Sequence, residues 1–261
     1  MSGSPVGRVL LWAAGLPVAV FLLAPLAAVV PLSFSSGSFL YYPLPGLSTR
    51  WYADFLASDF WLPALRNSLL VGALAATLAT LLGTPAALGL WRASGAWPRA
   101  ALALLAAPFV VPSVVVAVSL LLAWGPLGLT GTFAGLVMAH AALGAPFVVT
   151  TVLASLARFD PAQMRAAASC GAGPWRAFRR VMLPQIAPGV AAGAVFAFAT
   201  SLDEVVVALF IAGPAQRTLP RQMFSGLNDQ VSLTVLAAAT VMVALAALLL
   251  GTVAWLRREG P

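Results

Sequence analysis

The chain has 261 residues, of which 61% are hydrophobic and only 8% are charged. Soluble domains carry about a quarter charged residues, so this composition excludes an ordinary water-soluble protein and predicts a membrane protein. The net charge of +7 comes from fourteen arginines, which stand mostly in short segments between apolar runs. That distribution is typical of membrane loops and argues against a nucleic-acid-binding groove.

Residue counts also limit the chemistry of this chain. Cys170 is the only cysteine and His140 the only histidine, which excludes an intrachain disulfide and a metal site built from such ligands. The chain has no lysine, so it lacks the phosphate-binding residue of a Walker A loop. We therefore expect no metal, no cofactor bound by this chain and no enzymatic activity; any ATP hydrolysis is expected on another chain.

Apolar runs predict six transmembrane helices in a single all-α domain, 1–261. A span needs about 20 apolar residues. The uncharged stretch Ala100–Ala157 is too long for one span, and the turn-forming residues of Trp124–Gly128 divide it. The first run exceeds the apolar core of a secretory signal and is read as a retained span. The predicted spans are 9–32, 67–91, 100–123, 129–153, 187–212 and 231–256.

Arginine counts predict the orientation of these spans. With a cytoplasmic N-terminus, ten arginines fall inside and four fall outside, namely Arg50, Arg66, Arg217 and Arg221. Cytoplasmic loops carry the excess of basic residues, so both termini are expected in the cytoplasm.

A periplasmic loop, 33–65, is predicted to be more than a connector because it is rich in aromatic residues. Ser48 or Thr49 would cap a short helix with an aromatic face at the lipid headgroups. An interfacial anchor and a partner-docking surface both fit this composition.

Two acids, Asp203 and Glu204, lie inside the fifth predicted span. An acid at the centre of a span costs roughly 2.5–3.5 kcal/mol on insertion scales, so such acids usually face a cavity or a partner. Thr200 and Ser201 extend the polar face of Glu204. One hypothesis is that at least one acid lines a translocation path for a cation; the other is a structural hydrogen bond or pairing with an arginine.

Other residues within the spans have several interpretations. His140, in span four, would form an interhelical hydrogen bond or take part in a gate or proton step. Pro108 and Pro112 are expected to kink span three. Gly189 and Gly193 form a small-residue pair that is typical of close helix packing.

The cytoplasmic loop 158–186 is predicted to form two short helices. Asp160 and Pro161 favour a helix start, and Gly171 favours its end. Pro174 begins a second helix. The two helices would dock into another protein's groove, or form a solvated basic loop.

This loop resembles the EAA loop of ABC-importer permeases, whose coupling helices seat in an ATPase subunit. Arg165 stands where that motif usually has glutamate, which puts the polar part of docking in question. The resemblance implies coupling roles for Asp160, Arg165, Ala166, Ala167, Gly171, Ala172, Pro174, Trp175, Phe178, Leu183 and Pro184.

Further segments narrow the resemblance to the C-type subunit of the spermidine/putrescine permease family. They are Trp51-Tyr52, Asn67-Ser68-Leu69, His140 with Pro146-Phe147-Val148, Ser201-Leu202-Asp203-Glu204, Gly213-Pro214 and Thr218-Leu219-Pro220.

The resemblance implies a type I ABC-importer permease fold in the bacterial inner membrane. It also implies alternating access, with this chain forming half of a pathway for a small organic cation, and a polyamine is the expected cargo. Partners would be a second homologous permease, an ATPase dimer that binds ATP and Mg²⁺, and a periplasmic binding protein. Asp203, Glu204, Ser201, Thr200 and His140 are the expected pathway residues.

Three alternatives stay open at this point. Related permeases for thiamine, iron or phosphonate share part of the pattern. An ion-coupled carrier would use Asp203, Glu204 and His140 as a proton relay and would transport alone. A non-transporting scaffold would leave the intramembrane acids without a use.

Overall fold

A computed structural model describes residues 5–229 and 232–258, and within these ranges the chain is helical. Extended pairing among these residues is limited to one antiparallel bridge between Ser35 and Leu47. The helices are α1 (Pro5–Leu32), α2 (Arg50–Ala57), α3 (Trp61–Arg92), α4 (Trp97–Ala106), α5 (Ser113–Trp124), α6 (Phe133–Leu156), α7 (Ala162–Ser169), α8 (Pro174–Ala177), α9 (Leu183–Asp203), α10 (Val206–Ile211), α11 (Leu219–Asp229) and α12 (Leu233–Arg258). The predicted all-α fold is confirmed.

Five helical segments in the described ranges are long and apolar enough to cross a membrane: Trp12–Leu32, Trp61–Arg92, Phe133–Leu156, Pro174–Asp203 and Leu233–Thr252. The pair Trp97–Phe109 and Ser113–Trp124 passes the same test but is bent by 103°. Counted as one broken span, this pair brings the number of crossings to the predicted six.

Several span boundaries differ from the prediction. The second span begins at Trp61 rather than at 67, so the outer loop 33–65 ends at residue 60. Arg66 ended the uncharged run but not the helix, because an arginine near a helix end extends its charge toward the headgroups. The fourth span begins at Phe133, where the Thr132 hydroxyl accepts the Gly135 N–H. For the sixth span, Val231 lies outside the described residues, and the helix begins at Leu233.

The third span is interrupted where the prolines predicted a kink. A 3₁₀ turn at Ala107–Phe109 follows α4, and α5 begins only at Ser113. Pro112 has no N–H and disfavours helical backbone at the residue before it, so the helix cannot continue through Val111. The kink expected at Pro108 and Pro112 is present as a complete break of the span.

The fifth span, predicted as 187–212, differs at both ends. A helical segment runs from Pro174 to Asp203 with a π-helical turn at Phe178–Met182 inside it. It ends at Asp203, Glu204 is extended, and the short helix α10 follows. The prediction of one continuous helix to residue 212 is wrong, and the break falls at the intramembrane acids.

The chain divides into two compact units, Met1–Leu62 with Ser225–Ala244 and Pro63–Phe224 with Leu245–Pro261. In the larger unit α3, α6 and α9 approach closely through glycines. A Cβ at Gly144 would lie 2.8 Å from Ala197 Cβ, and one at Gly193 would lie 2.8 Å from Val148 Cα. The expected close-packing role of Gly193 is confirmed, and Gly189 likewise faces Ser155. These contacts hold α6 and α9 side by side.

The smaller unit contains α1, α2 and the aromatic loop between them. Tyr52 Oη lies 2.7 Å from Ser33 Oγ, and Trp51 Nε1 donates to the Ser35 carbonyl at 2.9 Å. Helix α2 begins at Arg50, whose N–H donates to Ser48 Oγ at 3.2 Å. Thr49 is the N-cap residue and makes no side-chain cap bond, so the predicted short helix is present but neither Ser48 nor Thr49 caps it as expected. Phe39 stays 77% exposed, which suits either an anchor or a docking surface.

Candidate functional site

Glu204 stabilises the break in its own span. Its backbone is extended, with φ −78° and ψ 111°, directly after the last residue of α9. Its Oε1 atom accepts a hydrogen bond from the Val207 N–H at 2.8 Å, at the start of α10. The side chain thus satisfies a backbone donor that has no helical acceptor at the start of a helix.

A cavity of about 160 Å³ lies beside this break. Its polar side chains are Thr200 and Glu204 from the fifth span and Ser113 from the start of α5. Its other lining residues are apolar, namely Pro108, Phe109, Val116, Leu143, Phe147 and Val207. The cavity is therefore lined by two interrupted spans and by α6, and membrane transporters place binding sites at such interrupted helices.

Aromatic rings form one wall of the cavity. Phe109 and Phe147 meet edge to face with centroids 4.7 Å apart, and Phe147 stacks on Phe196 at 6.1 Å. The face of an aromatic ring attracts cations, and a carboxylate does so more strongly. A carboxylate and two rings around one small cavity therefore favour an organic cation over an anion.

His140 and Ser201 form a separate buried pair. His140 Nδ1 lies 2.7 Å from Ser201 Oγ, joining α6 to α9. The two residues are 0% and 3% exposed. His140 Nε2 has no hydrogen-bond partner among the residues that the structure describes.

The structure thus separates the five predicted pathway residues. Thr200 and Glu204 line the cavity, whereas His140 and Ser201 are joined in the helix interface. Asp203 is exposed and does not line the cavity.

Sequence reasoning missed Phe109 and Leu143 as cavity residues. The prolines at 108 and 112 marked the correct stretch, and Phe147 belonged to a motif already singled out. No local pattern, however, indicated which side chains of span four face span five.

The loop 158–186, which is predicted to be cytoplasmic, has the two predicted helices. The Asp160 carboxylate accepts the Ala162 N–H at 2.8 Å, and α7 begins at Ala162, one residue later than expected from Pro161. Gly171 follows the helix with φ +78°, a left-handed conformation that favours glycine. The stop at Gly171 is confirmed, whereas the N-cap is Pro161 rather than the predicted Asp160.

The coupling-loop residues are mostly exposed. Arg165, Ala166, Gly171, Pro174, Trp175 and Pro184 are exposed, as is Asp160, while Ala167, Ala172, Phe178 and Leu183 are half-buried. The Trp175 ring stacks on Phe178 at 5.6 Å and is still 71% exposed. Helix α7 therefore offers small side chains and one arginine, with a large aromatic residue nearby on α8.

This loop is connected to the cavity by continuous helix. The helical segment Pro174–Asp203 runs from the second loop helix to the residue before Glu204. Thirty residues at 1.5 Å each give about 45 Å of helix. Gln185 on α9 also hydrogen-bonds to Gln163 on α7. A movement of the loop would therefore reach the cavity along one helical segment, which contains the π-helical turn at Phe178–Met182.

At the other end of the larger unit, two of the singled-out motifs meet. Asn67 Nδ2 donates to the carbonyls of Ala215 and Arg217 at 2.9 and 3.0 Å, and Ser68 Oγ accepts the Leu219 N–H at 2.8 Å. These bonds fix the turn after α10 to the start of α3. In the same turn, burial and then the charge of Arg217 lower the pKa of Arg221.

Comparisons with known proteins agree with this geometry. Residues 79–259 match the family described as "Binding-protein-dependent transport system inner membrane component". The chain is 33% identical to the spermidine/putrescine transport system permease protein PotC of Escherichia coli (strain K12), over 92% of this chain and 90% of that protein. It is 34% identical to the putrescine transport system permease protein PotI of the same strain, over 90% and 85%.

The fold is also found in a solved structure. A bacterial alginate ABC transporter, in complex with an alginate pentasaccharide-bound periplasmic protein, superposes with a TM-score of 0.69 at 18% identity. The alignment covers 94% of this chain and 92% of that one. Apolar helices, a membrane-transporter fold and a matching family model lead to one conclusion: the chain is a multi-pass bacterial inner-membrane protein that belongs to the family of inner-membrane components of binding-protein-dependent transport systems.

Proposed function

We propose that this chain is one permease subunit of an ATP-driven importer and forms half of a pathway for a polyamine such as spermidine or putrescine. The observation that carries the proposal is the placement of Glu204 beside Phe109 and Phe147 in one cavity. The names of the two polyamine permeases that match about nine tenths of this chain support the same cargo.

The cavity chemistry suits an alkylammonium group. A carboxylate attracts the ammonium charge, and ring faces within about 6 Å add cation–π attraction of about 0.5–2 kcal/mol. The apolar remainder of the lining suits a methylene chain. An anionic cargo, such as a phosphonate, would meet Glu204 as a like charge. The cavity thus favours a polyamine over an anion, and a second permease subunit would complete the pathway.

The mechanism we propose is alternating access. Closure of two ATPase subunits, which would bind ATP and Mg²⁺ and perform the hydrolysis, would move α7 and α8. The continuous helix Pro174–Asp203 would carry that movement to the break at Glu204. Because two of the three spans that line the cavity are interrupted, these two can shift against each other without breaking helical hydrogen bonds. This chain would bind no cofactor and would perform no covalent chemistry.

A periplasmic binding protein is the proposed source of the cargo. The turn fixed to Asn67 and Ser68 offers that partner a preorganised surface at the end of the helices opposite the cytoplasmic loop. The complex of the alginate transporter with its periplasmic protein supports this type of partner.

The test is purification of the tagged chain from its native host in mild detergent. We expect an ATPase, a second permease and a binding protein to co-purify. The isolated binding protein is then titrated by calorimetry with spermidine, putrescine, thiamine and a phosphonate. Micromolar or tighter binding of a polyamine is the expected result, whereas preference for another cargo would retain the importer but reject the polyamine.

A further inference from the structure

We propose that His140 is a positioning residue: its hydrogen bond to Ser201 holds the end of α9, and with it Glu204, at the cavity. This inference rests on the proposed function, because it assigns His140 a role in transport without contact with the cargo. It replaces the earlier expectation that His140 and Ser201 line the pathway themselves.

The hydrogen bond between His140 and Ser201 lies near the C-terminal end of α9. Helix α9 ends at Asp203, so the carbonyls of its last turn have no following helical N–H groups to donate to them. Ser201 stands two residues before that end. The last glycine contact between α6 and α9 toward the break, Gly144 against Ala197, is one turn earlier. Among the described residues, His140–Ser201 is the side-chain hydrogen bond that joins these two helices.

The position of Ser201 also fits this role. Ser201 follows directly after Thr200 in the last turn of α9, three residues before Glu204. Thr200 faces the cavity with Glu204, whereas Ser201 is buried against α6. A displacement of Ser201 would therefore displace the cavity face one turn away.

Only one nitrogen of His140 makes this contact. Nδ1 binds Ser201, and Nε2 has no partner within the described part of the chain. An asparagine at this position places its amide near Nδ1, whereas a glutamine places its amide near Nε2. The two substitutions therefore separate a positioning role, which needs Nδ1, from a direct role of Nε2 in a gate or proton step.

The experiment compares His140→Leu, His140→Asn and His140→Gln in the complete transporter reconstituted in proteoliposomes. Loss of a buried hydrogen bond predicts about a tenfold fall in maximal spermidine uptake for His140→Leu. His140→Asn should restore most of the uptake and His140→Gln should not. ATP hydrolysis stimulated by cargo-loaded binding protein should change by less than about twofold. A general structural defect would lower this hydrolysis together with uptake.

Ser201→Ala removes the same bond from the other side, and it carries the test if His140→Leu fails to assemble. The double variant His140→Leu/Ser201→Ala should be no worse than either single variant, because both remove one interaction. Rescue by glutamine rather than asparagine, multiplicative losses, or full uptake by His140→Leu and Ser201→Ala would overturn the proposal. Wild-type transporter that moves no polyamine would instead reject the proposed function.

Discussion

At the scale of single residues, Glu204 combines two tasks that are usually in conflict. Its carboxylate lines a cavity, where a free charge attracts a cation, and it also accepts the Val207 N–H. Such a hydrogen bond offsets part of the cost of placing an acid within a span. Asp203, the neighbouring acid, is exposed outside the cavity, so the pair offers a test with a built-in control.

We expect Glu204→Gln to lower ATP-dependent spermidine uptake at least about tenfold, while Asp203→Asn stays within about twofold of the wild type. The amide oxygen of glutamine can still accept the Val207 N–H, so the substitution removes charge and leaves the helix break intact. Uptake is measured with radiolabelled spermidine in proteoliposomes that contain the whole transporter. Equal losses in the two variants would show that the cavity acid has no special role.

At the scale of elements, the contact between α6 and α9 has no space for a side chain at its glycines. A Cβ at Gly193 would lie 2.5 Å from Thr151 Oγ1 and 2.8 Å from Val148 Cα. At Gly89, on α3, a Cβ would meet no atom within 4 Å. The two positions therefore differ in packing while both are helical.

Gly193→Ala is expected to destabilise the protein by about 1–3 kcal/mol, because the two helices must move apart. Gly89→Ala is expected to be neutral or to stabilise by up to about 1 kcal/mol, since alanine favours helix. The melting temperatures of both variants are measured by thermal unfolding in detergent. Unfolding is monitored by the fluorescence of a dye that does not react with thiols. A melting temperature that falls equally in the two variants would contradict the close packing of α6 on α9.

The coupling loop provides a second test at this scale. Cys170, the only cysteine, is exposed directly after α7. If α7 seats in an ATPase groove, a bulky maleimide should label Cys170 at least about tenfold more slowly in the assembled transporter than in the separated chain. The control is Ser94→Cys in a Cys170→Ala background, at an exposed position between α3 and α4. Its labelling should not change on assembly, and unchanged labelling of Cys170 would reject the docking of α7.

At the scale of the whole molecule, the features that depend on single residues or short segments were predictable from the sequence. Gly171 ends α7 because a left-handed residue is needed there, and Pro112 interrupts span three because it has no N–H. Both features depend on the residue itself, and both were visible in the sequence. Hydrophobic length likewise predicted the membrane crossings.

Contacts between residues that are distant in the chain could not be predicted from the sequence in the same way. Residues 205–212 are as apolar as those before them, so no local pattern indicates that α9 ends at Asp203. The break depends on the Glu204 side chain reaching the Val207 N–H, and the pairing of His140 with Ser201 joins residues 61 positions apart. Whether Asp203 or Glu204 faces a cavity was therefore open until the helices were placed.

The most direct test of the account is spermidine uptake by purified components in proteoliposomes. The chain, a second permease and the ATPase are reconstituted, and the binding protein and ATP are added or omitted in turn. We predict accumulation only when all components and ATP are present, with no effect of a proton ionophore. Accumulation by this chain alone, driven by a proton gradient and abolished by the ionophore, would contradict the account and identify an ion-coupled carrier.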